Sequence, residues 1–455
     1  MQDMRVPITE LDTASWTITA YLLGYVAAMP LIGRLSDILG HRRLFVLSML
    51  LFMGGSVATA LSPNLSVLIA MRVIQAAGAG ALVPISIALV GNLLPPGRRG
   101  LALGLVGGAA EAGGVIGPLW GGIIIRYLDW RWVFWINVPL GIAVIAGVMF
   151  MLARSPRHSA KLDYLSGGLI AITLSALTLG LARISQPDGL MAAYLATSTA
   201  TFLLLIIRQQ TAVYPLFPRN MFAHLSVKAA NISHLLVGGA LIIGMVTIPL
   251  MTNTVMALSP LEGGLRLMRM TGAMPFGAVL GGWMAQRTDC RIPTILGLAL
   301  TALGFFFMST WDLGIGEPLL TTHLAMAGFG FGLVIAPIIL AATEPIGEAV
   351  RGTAAGVVTA MRMIGMTFGL ATLTAWGSGQ FANLAAGIPL PLQAVGETAA
   401  DYEARLQLYQ TQITDIGISL FSNFFFIAMV VSAIAIVPAL FMSWNYRRDE
   451  RRPQV

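Results

Sequence analysis

The chain has 455 residues, of which 56% are hydrophobic and only 10% charged, with a net charge of +7 and a mean hydropathy of +0.80. A soluble domain carries roughly 25% charged residues, so this composition excludes a water-soluble globular protein, and the single cysteine, Cys290, excludes an internal disulfide or a thiolate metal cluster. The excess positive charge does not call for nucleic acid: with the apolar segments alternating across a membrane, about 18 of the 27 Lys and Arg fall in loops on one side, the bias that orients a membrane protein.

Thirteen apolar segments are predicted to span the membrane, at 13–33, 44–62, 65–91, 100–125, 131–153, 163–182, 189–207, 226–251, 262–285, 292–310, 318–345, 352–377 and 418–443. Each is long enough to cross a hydrocarbon core of roughly 30 Å. The first carries Trp16, Tyr21 and Tyr25, aromatic candidates for a cavity wall. Between the first two lies a short charged loop, Gly33–Arg43, GRLSDILGHRR. Gly33 and Gly40 permit tight turns, Asp37 can accept from a helix start or from Arg42, and Arg42 with Arg43 marks the loop as cytoplasmic.

Arg72, followed by Gln75 in RVIQAAGAG, lies about two turns inside the third span, where a charge costs roughly 2.5–3.5 kcal/mol. It is expected to face a cavity or a partner, the alternative being to snorkel to the external surface. Glu111 is the one carboxylate placed at mid-membrane. An isolated acid there can exchange protons near neutral pH; the alternative is a structural Glu paired with Arg362, Arg266 or Arg269, of which Arg266 lies toward the external face. In Gly113–Gly122, GGVIGPLWGG, the glycines Gly113, Gly117 and Gly121 share one helix face, Pro118 bends the helix, and Gly122 completes a glycine pair. Trp130–Pro139, WRWVFWINVP, suits an external interface.

The second half repeats the first. Gly282–Arg291, GWMAQRTDCR, is a worn copy of the Gly33 loop 249 residues later, and Arg351–Gly356, RGTAAG, follows Arg99–Gly104, RGLALG, at an offset of 252. The pair 163–182 and 189–207 has no counterpart and reads as an insert. His323 falls almost at the repeat position of Arg72, and His234 lies in the span 226–251; each is a hydrogen-bonded packing residue or a proton relay. Met361, Met363 and Met366 offer a soft cavity wall or simply face lipid. The stretch from Glu397 to Thr414, inside an external loop at 378–417, is expected to form an amphipathic helix lying on the surface.

The spacing G-x-L-x-D-x-x-G-x-R-R at Gly33, Asp37, Gly40, Arg42 and Arg43 resembles the hallmark loop of the major facilitator superfamily. Arg72–Gly80 resembles its second motif, with Ala76 in place of a glycine, and Gly113–Gly122 matches its antiporter motif G-x-x-x-G-P-x-x-G-G. Trp130–Pro139, Asp163–Gly167 and Ser259–Gly264 resemble the fourteen-helix drug:proton antiporter branch, with Arg269 standing where that branch usually has proline. The resemblance implies an all-α membrane fold of two pseudo-symmetric halves, 1–155 and 211–455, around an inserted helix pair, 156–210. It implies a secondary transporter that exports small amphipathic or drug-like molecules against protons by alternating access, with the Gly33 loop clamping the halves on the cytoplasmic side. Glu111 is then the proton-coupling residue, and Tyr21, Tyr25, Arg72, Gln75, Arg362 and His323 the cavity candidates. A monomer in the plasma (inner) membrane is expected, with a cytoplasmic C-terminus, a small-molecule substrate, and no cofactor, metal or nucleic acid. An enzyme is not expected, since no GxxxxGK loop and no convergent Ser/His/Asp set is present. The rival readings are a non-transporting relative acting as a membrane scaffold and a nutrient importer. The repeat also places the counterpart of 226–251 ahead of Met1, so the first core helix is expected to be missing, through a misassigned start or a truncation.

Overall fold

A computed structural model describes residues 11–152, 163–184, 187–218, 221–392 and 398–443. Arg154, Arg157, Lys161, Arg219, Glu397 and the tail arginines Arg447, Arg448, Arg451 and Arg452 lie outside the described residues, as do the surroundings of Pro118 and Gly122. Among the described residues the chain is helical and contains no strand: α1 (Leu11–Leu39), α2 (His41–Ala60), α3 (Leu65–Leu93), α4 (Pro96–Tyr127), α5 (Trp132–Trp135), α6 (Asn137–Met151), α7 (Tyr164–Ala182), α8 (Gly189–Thr211), α9 (Leu225–Thr254), α10 (Pro260–Arg287), α11 (Arg291–Ser309), α12 (Glu317–Thr343), α13 (Arg351–Ala385), α14 (Ala399–Ile434) and α15 (Ile436–Ala439). Among the described residues twelve segments are long and apolar enough to cross a membrane. The 28-residue α10 has the length of a further span, but Glu262, Arg266, Arg269 and Arg287 dilute its hydropathy.

Two expectations about loops give way to helix. The charged stretch after Gly33 is the last two turns of α1, which runs to Leu39. Only Gly40 interrupts it, at φ 92°, a left-handed conformation that a side chain would strain, and α2 starts at the next residue. Similarly, the external loop at 378–417 is mostly helix: α13 continues to Ala385 and α14 begins at Ala399. The expected separate surface helix is instead part of a longer element: from Ala399 onward it is the start of the continuous α14, capped by the Thr398 side chain accepting from Asp401 N–H. At 1.5 Å per residue these helices reach about 52 and 54 Å, well beyond a hydrocarbon core of roughly 30 Å.

In the first part of the chain α3 packs between α1 and α2, and α6 lies against α2. In the second, α9 packs on α13 and α14, while α12 lies against α10 and α11 and is buried over most of its length. The two parts meet along several helix pairs, and two of these crossings, α1 over α13 and α4 over α10, are the same contact under the repeat offset. Both crossings are made by glycine. A Cβ at Gly33 would overlap the Gly352 carbonyl oxygen, and one at Gly100 would lie 2.5 Å from the Gly282 carbonyl oxygen. Such backbone approach is how helices associate where lipid supplies no hydrophobic drive.

The inserted α7–α8 hairpin packs against α1 and α13. Its N-caps are Asp163 and Asp188, accepting from Ser166 and Met191 N–H. Arg208 at the end of α8 reaches back to Asp163 with Nε at 3.0 Å. Burial raises the Asp163 carboxyl, but the Arg208 and Ser166 hydrogen bonds outweigh it and leave the group below the ordinary carboxylate range.

Candidate functional site

Glu111 lies midway along α4 and Arg362 in the fourth turn of α13; their side chains meet, Arg362 Nη1 to Glu111 Oε1 at 2.6 Å. Both are largely withdrawn from solvent, at 15% and 14% side-chain exposure. A buried charge pair holds its desolvation cost only through mutual attraction, so neutralising either partner changes the balance at this point by several kcal/mol. Residue 363, the position 252 beyond Glu111, is adjacent to Arg362, so the repeat arithmetic led within one residue of the partner. Arg266 and Arg269 instead join Glu317 at the other end of α10, with Arg266 Nη2 at 2.7 Å from Glu317 Oε1 and Arg269 bonded to Glu317 Oε2.

Tyr25 of α1 shares this electrostatic environment with Glu111 and Arg362, and stacks on Tyr21 with ring centroids 5.9 Å apart. Tyr21 in turn underlies Arg72, whose guanidinium carbon sits 4.1 Å from the ring centroid. Arg72 also donates to Gln75 Oε1 at 2.8 Å, and Gln75 Nε2 donates to Ser56 Oγ at 2.7 Å. Arg72 is therefore turned to partners within the protein. Tyr21, Tyr25, Arg72 and Gln75 form one group that adjoins the Glu111–Arg362 pair. His323 does not join them. It is stacked on Phe307 at 4.9 Å and accepts from Trp311 Nε1 at 3.1 Å, which makes it an aromatic packing residue of the α11–α12 region. Trp16 is 40% exposed on α1.

A second site lies at the end of the bundle where α1 meets α13. Asp37 is buried, and its carboxylate accepts from Gly352 N–H and Thr353 N–H, both at 2.8 Å, and from Thr353 Oγ1 at 2.7 Å. The acid thus caps the N-terminus of α13, where unsatisfied N–H groups and the helix dipole favour an anion. Arg42 donates to the Met149 carbonyl oxygen at 2.8 Å, and Arg43 is exposed. Under the repeat, Arg99 and Arg351 are equivalents, and they converge on one acid: Arg99 Nη1 lies 2.6 Å and Arg351 Nη2 3.6 Å from Glu344 Oε2. Arg351 also donates to the Gly91 carbonyl at 2.7 Å and to Asn92 Oδ1 at 2.5 Å. Glu344, Asn92 and Thr353 were not singled out from sequence; the matched RGLALG and RGTAAG arginines were the signal that an acid should lie between them.

The antiporter-motif glycines occupy an open face. Nothing among the described residues comes within 4 Å of a Cβ built at Gly113, Gly117 or Gly121. The counterparts of Gly113 and Gly117 at the 252-residue offset, Gly365 and Gly369 of α13, are closed by α9, whose Leu235 and Gly239 carbonyls would meet an added Cβ. Two apolar cavities flank the helices that carry the site. One of 960 Å³ lies between the α7–α8 hairpin and α13, lined by Leu174, Phe202, Val357 and Met361; another of 260 Å³ lies between α1 and α13, lined by Val26, Met363 and Met366.

A bundle of spanning helices related by an internal repeat, joined at glycine crossings and carrying buried charges between its parts, is the architecture of a secondary transporter. A family model described as Major Facilitator Superfamily matches residues 8–370, and the chain belongs to that superfamily: it is a multi-pass membrane transporter and not an enzyme. Triacylglyceride transporters are its relatives. That of Mycolicibacterium hassiacum is 38% identical over 439 residues, covering 90% of this chain and 81% of the relative. That of Mycolicibacterium smegmatis is 33% identical, covering 99% and 84%, and that of Mycobacterium tuberculosis 35% identical, covering 90% and 83%. Among solved structures, the proton:xylose symporter XylE aligns with a TM-score of 0.61 at 16% identity over 96% of this chain and 87% of its own. The human organic anion transporter MFSD10 aligns at 0.59 and 15% identity over 92% and 83%. These two share the fold.

Proposed function

We propose that this chain is a proton-coupled exporter working by alternating access, with an acyl glyceride as its cargo. The observation that carries the reading is the Glu111–Arg362 pair, a carboxylate and a guanidinium 2.6 Å apart inside a membrane bundle and contributed by opposite repeats. Protonation of Glu111 removes one charge of the pair and weakens its hold on Arg362, so proton uptake becomes a force on the α4–α13 relationship. Asp37 and the Arg99–Glu344–Arg351 group then act as the cytoplasmic clamp, closed here, between the halves 1–155 and 211–455. The cargo class rests on the relatives named as triacylglyceride transporters and on the apolar character of both cavities, which suits hydrocarbon chains. A drug-like amphiphile is the second reading, favoured by the Gly113–Gly122 resemblance.

The test is transport in proteoliposomes holding an imposed pH gradient and either a fluorescent triacylglycerol or ethidium. The parent chain moves the glyceride and dissipates the gradient as it does so, whereas Glu111→Gln inserts normally but does neither. A Glu111→Gln variant that transports at the parental rate ends the proposal; movement of ethidium alone transfers it to the second reading.

A further inference from the structure

At the crossing of α9 and α13 two buried nitrogens are left without hydrogen-bond partners among the described residues. His234 lies on the face of α9 packed against α13, is 3% exposed, and its Nδ1 sits 2.7 Å from the Val358 carbonyl oxygen. A carbonyl can only accept, so Nδ1 carries the hydrogen, and in the neutral ring Nε2 is a bare acceptor. Among the described residues that Nε2 has no hydrogen-bond partner, and neither does the Nε–H of Arg362. Val358 lies one turn before Arg362 on α13, and a helical side chain leans over the turn that precedes it. The Arg362 stem therefore covers the turn to which His234 is bonded. The backbones are in contact there too, since a Cβ at Gly238, one turn beyond His234, would overlap the Arg362 carbonyl oxygen.

We infer that His234 Nε2 is the second acceptor for Arg362, receiving its Nε–H when Glu111 is protonated and releases the guanidinium. The inference rests on the proposed coupling role of Glu111 and adds the residue that positions Arg362 in the other state. In the state seen here the guanidinium is spent on Glu111 through Nη1. Once a proton occupies the Glu111 carboxyl, the ion pair is reduced to a neutral hydrogen bond, and a buried guanidinium needs another acceptor. His234 supplies one without bringing a charge. The other groups on the helices around α9 are committed elsewhere. Arg266 and Arg269 of α10 are joined to Glu317 of α12 at the far end, His323 of α12 is held by Trp311, and the charged residues of α14 lie at or before Asp415, in its first half. Facing Arg362 besides His234 are Glu111 of α4 and Tyr25 of α1.

The readout is clamp opening followed by the distance between spin labels at Arg98→Cys and Ala349→Cys, both exposed positions, titrated with pH in vesicles. The native Cys290 is buried and burial pushes its thiol well up, so it stays unlabelled. In the parent, opening accompanies protonation of Glu111. His234→Leu removes the second acceptor, makes protonation harder, and moves the midpoint to lower pH by about one unit, a tenfold loss in proton affinity. His234→Gln, which keeps a donor and an acceptor, restores the parental midpoint. His234→Phe, closer to the ring in shape, serves if the leucine variant does not insert. An unchanged midpoint in His234→Leu, or an equal shift in His234→Gln, overturns the inference. Glu111→Gln separates the two levels: if it keeps the parental transition the coupling role of Glu111 fails, and if it abolishes the transition while His234→Leu shifts nothing, only the His234 assignment fails.

Discussion

Replacing Asp37 by alanine is the sharpest perturbation of the clamp. In the closed state the carboxylate is 4% exposed and takes two backbone N–H groups and one hydroxyl from the start of α13, at 2.7–2.8 Å. Alanine leaves the Gly352 and Thr353 N–H groups buried without an acceptor, at about 1–3 kcal/mol each. In an open state water reaches both, so the penalty falls on the closed state alone. Even the low end, about 2 kcal/mol for the pair, shifts the closed-to-open ratio roughly thirtyfold, since about 1.4 kcal/mol is tenfold. The distance between spin labels at Arg98→Cys and Ala349→Cys reads that ratio: Asp37→Ala should show a mostly open clamp, with cargo binding within a few-fold of the parent because Asp37 lies far along α1 from Tyr21 and Tyr25. A closed fraction equal to the parent's, accompanied by weakened cargo binding, would refute the clamp argument.

Gly33→Ala should act on the same equilibrium by sterics, because its Cβ would overlap the Gly352 carbonyl; Gly54→Ala, where nothing among the described residues lies within 4 Å, is the control and should leave the label distance unchanged. Asp163→Asn should loosen the α7–α8 hairpin by at most about 1 kcal/mol, since Arg208 is partly exposed and water screens the pair. The Asp163 carboxyl is held below its ordinary value, so its contribution is complete above about pH 4 and is lost as pH falls through the lowered value. Proteolysis of the hairpin should therefore distinguish Asp163→Asn from the parent at neutral pH and cease to do so in strong acid.

Much of this protein is written in its hydropathy. The spans, the inserted pair and the repeat follow from segment length and from residue spacing, which are local properties that a bilayer turns directly into structure. The family motifs likewise marked Asp37 and Arg72, and Glu111 stood out as a carboxylate at mid-membrane, because a charge inside an apolar segment is visible in one dimension. Which partner each charge takes was decided by the packing of distant helices. The sequence left Arg362, Arg266 and Arg269 open as partners of Glu111; the α4–α10 and α1–α13 crossings bring Arg362 to it and leave the other two with Glu317. Arg99 and Arg351 were legible as equivalents, but Glu344, the acid they share, lies 245 residues from Arg99. The helical continuations past Gly33 and into 378–417 were hidden for a related reason: polar residues end an apolar segment without ending a helix, whose own hydrogen bonds are indifferent to whether lipid or water surrounds them. His234 shows the same division, since its place in an apolar span is plain from sequence, while its bond to the Val358 carbonyl, one turn before Arg362, exists only once α9 is laid against α13.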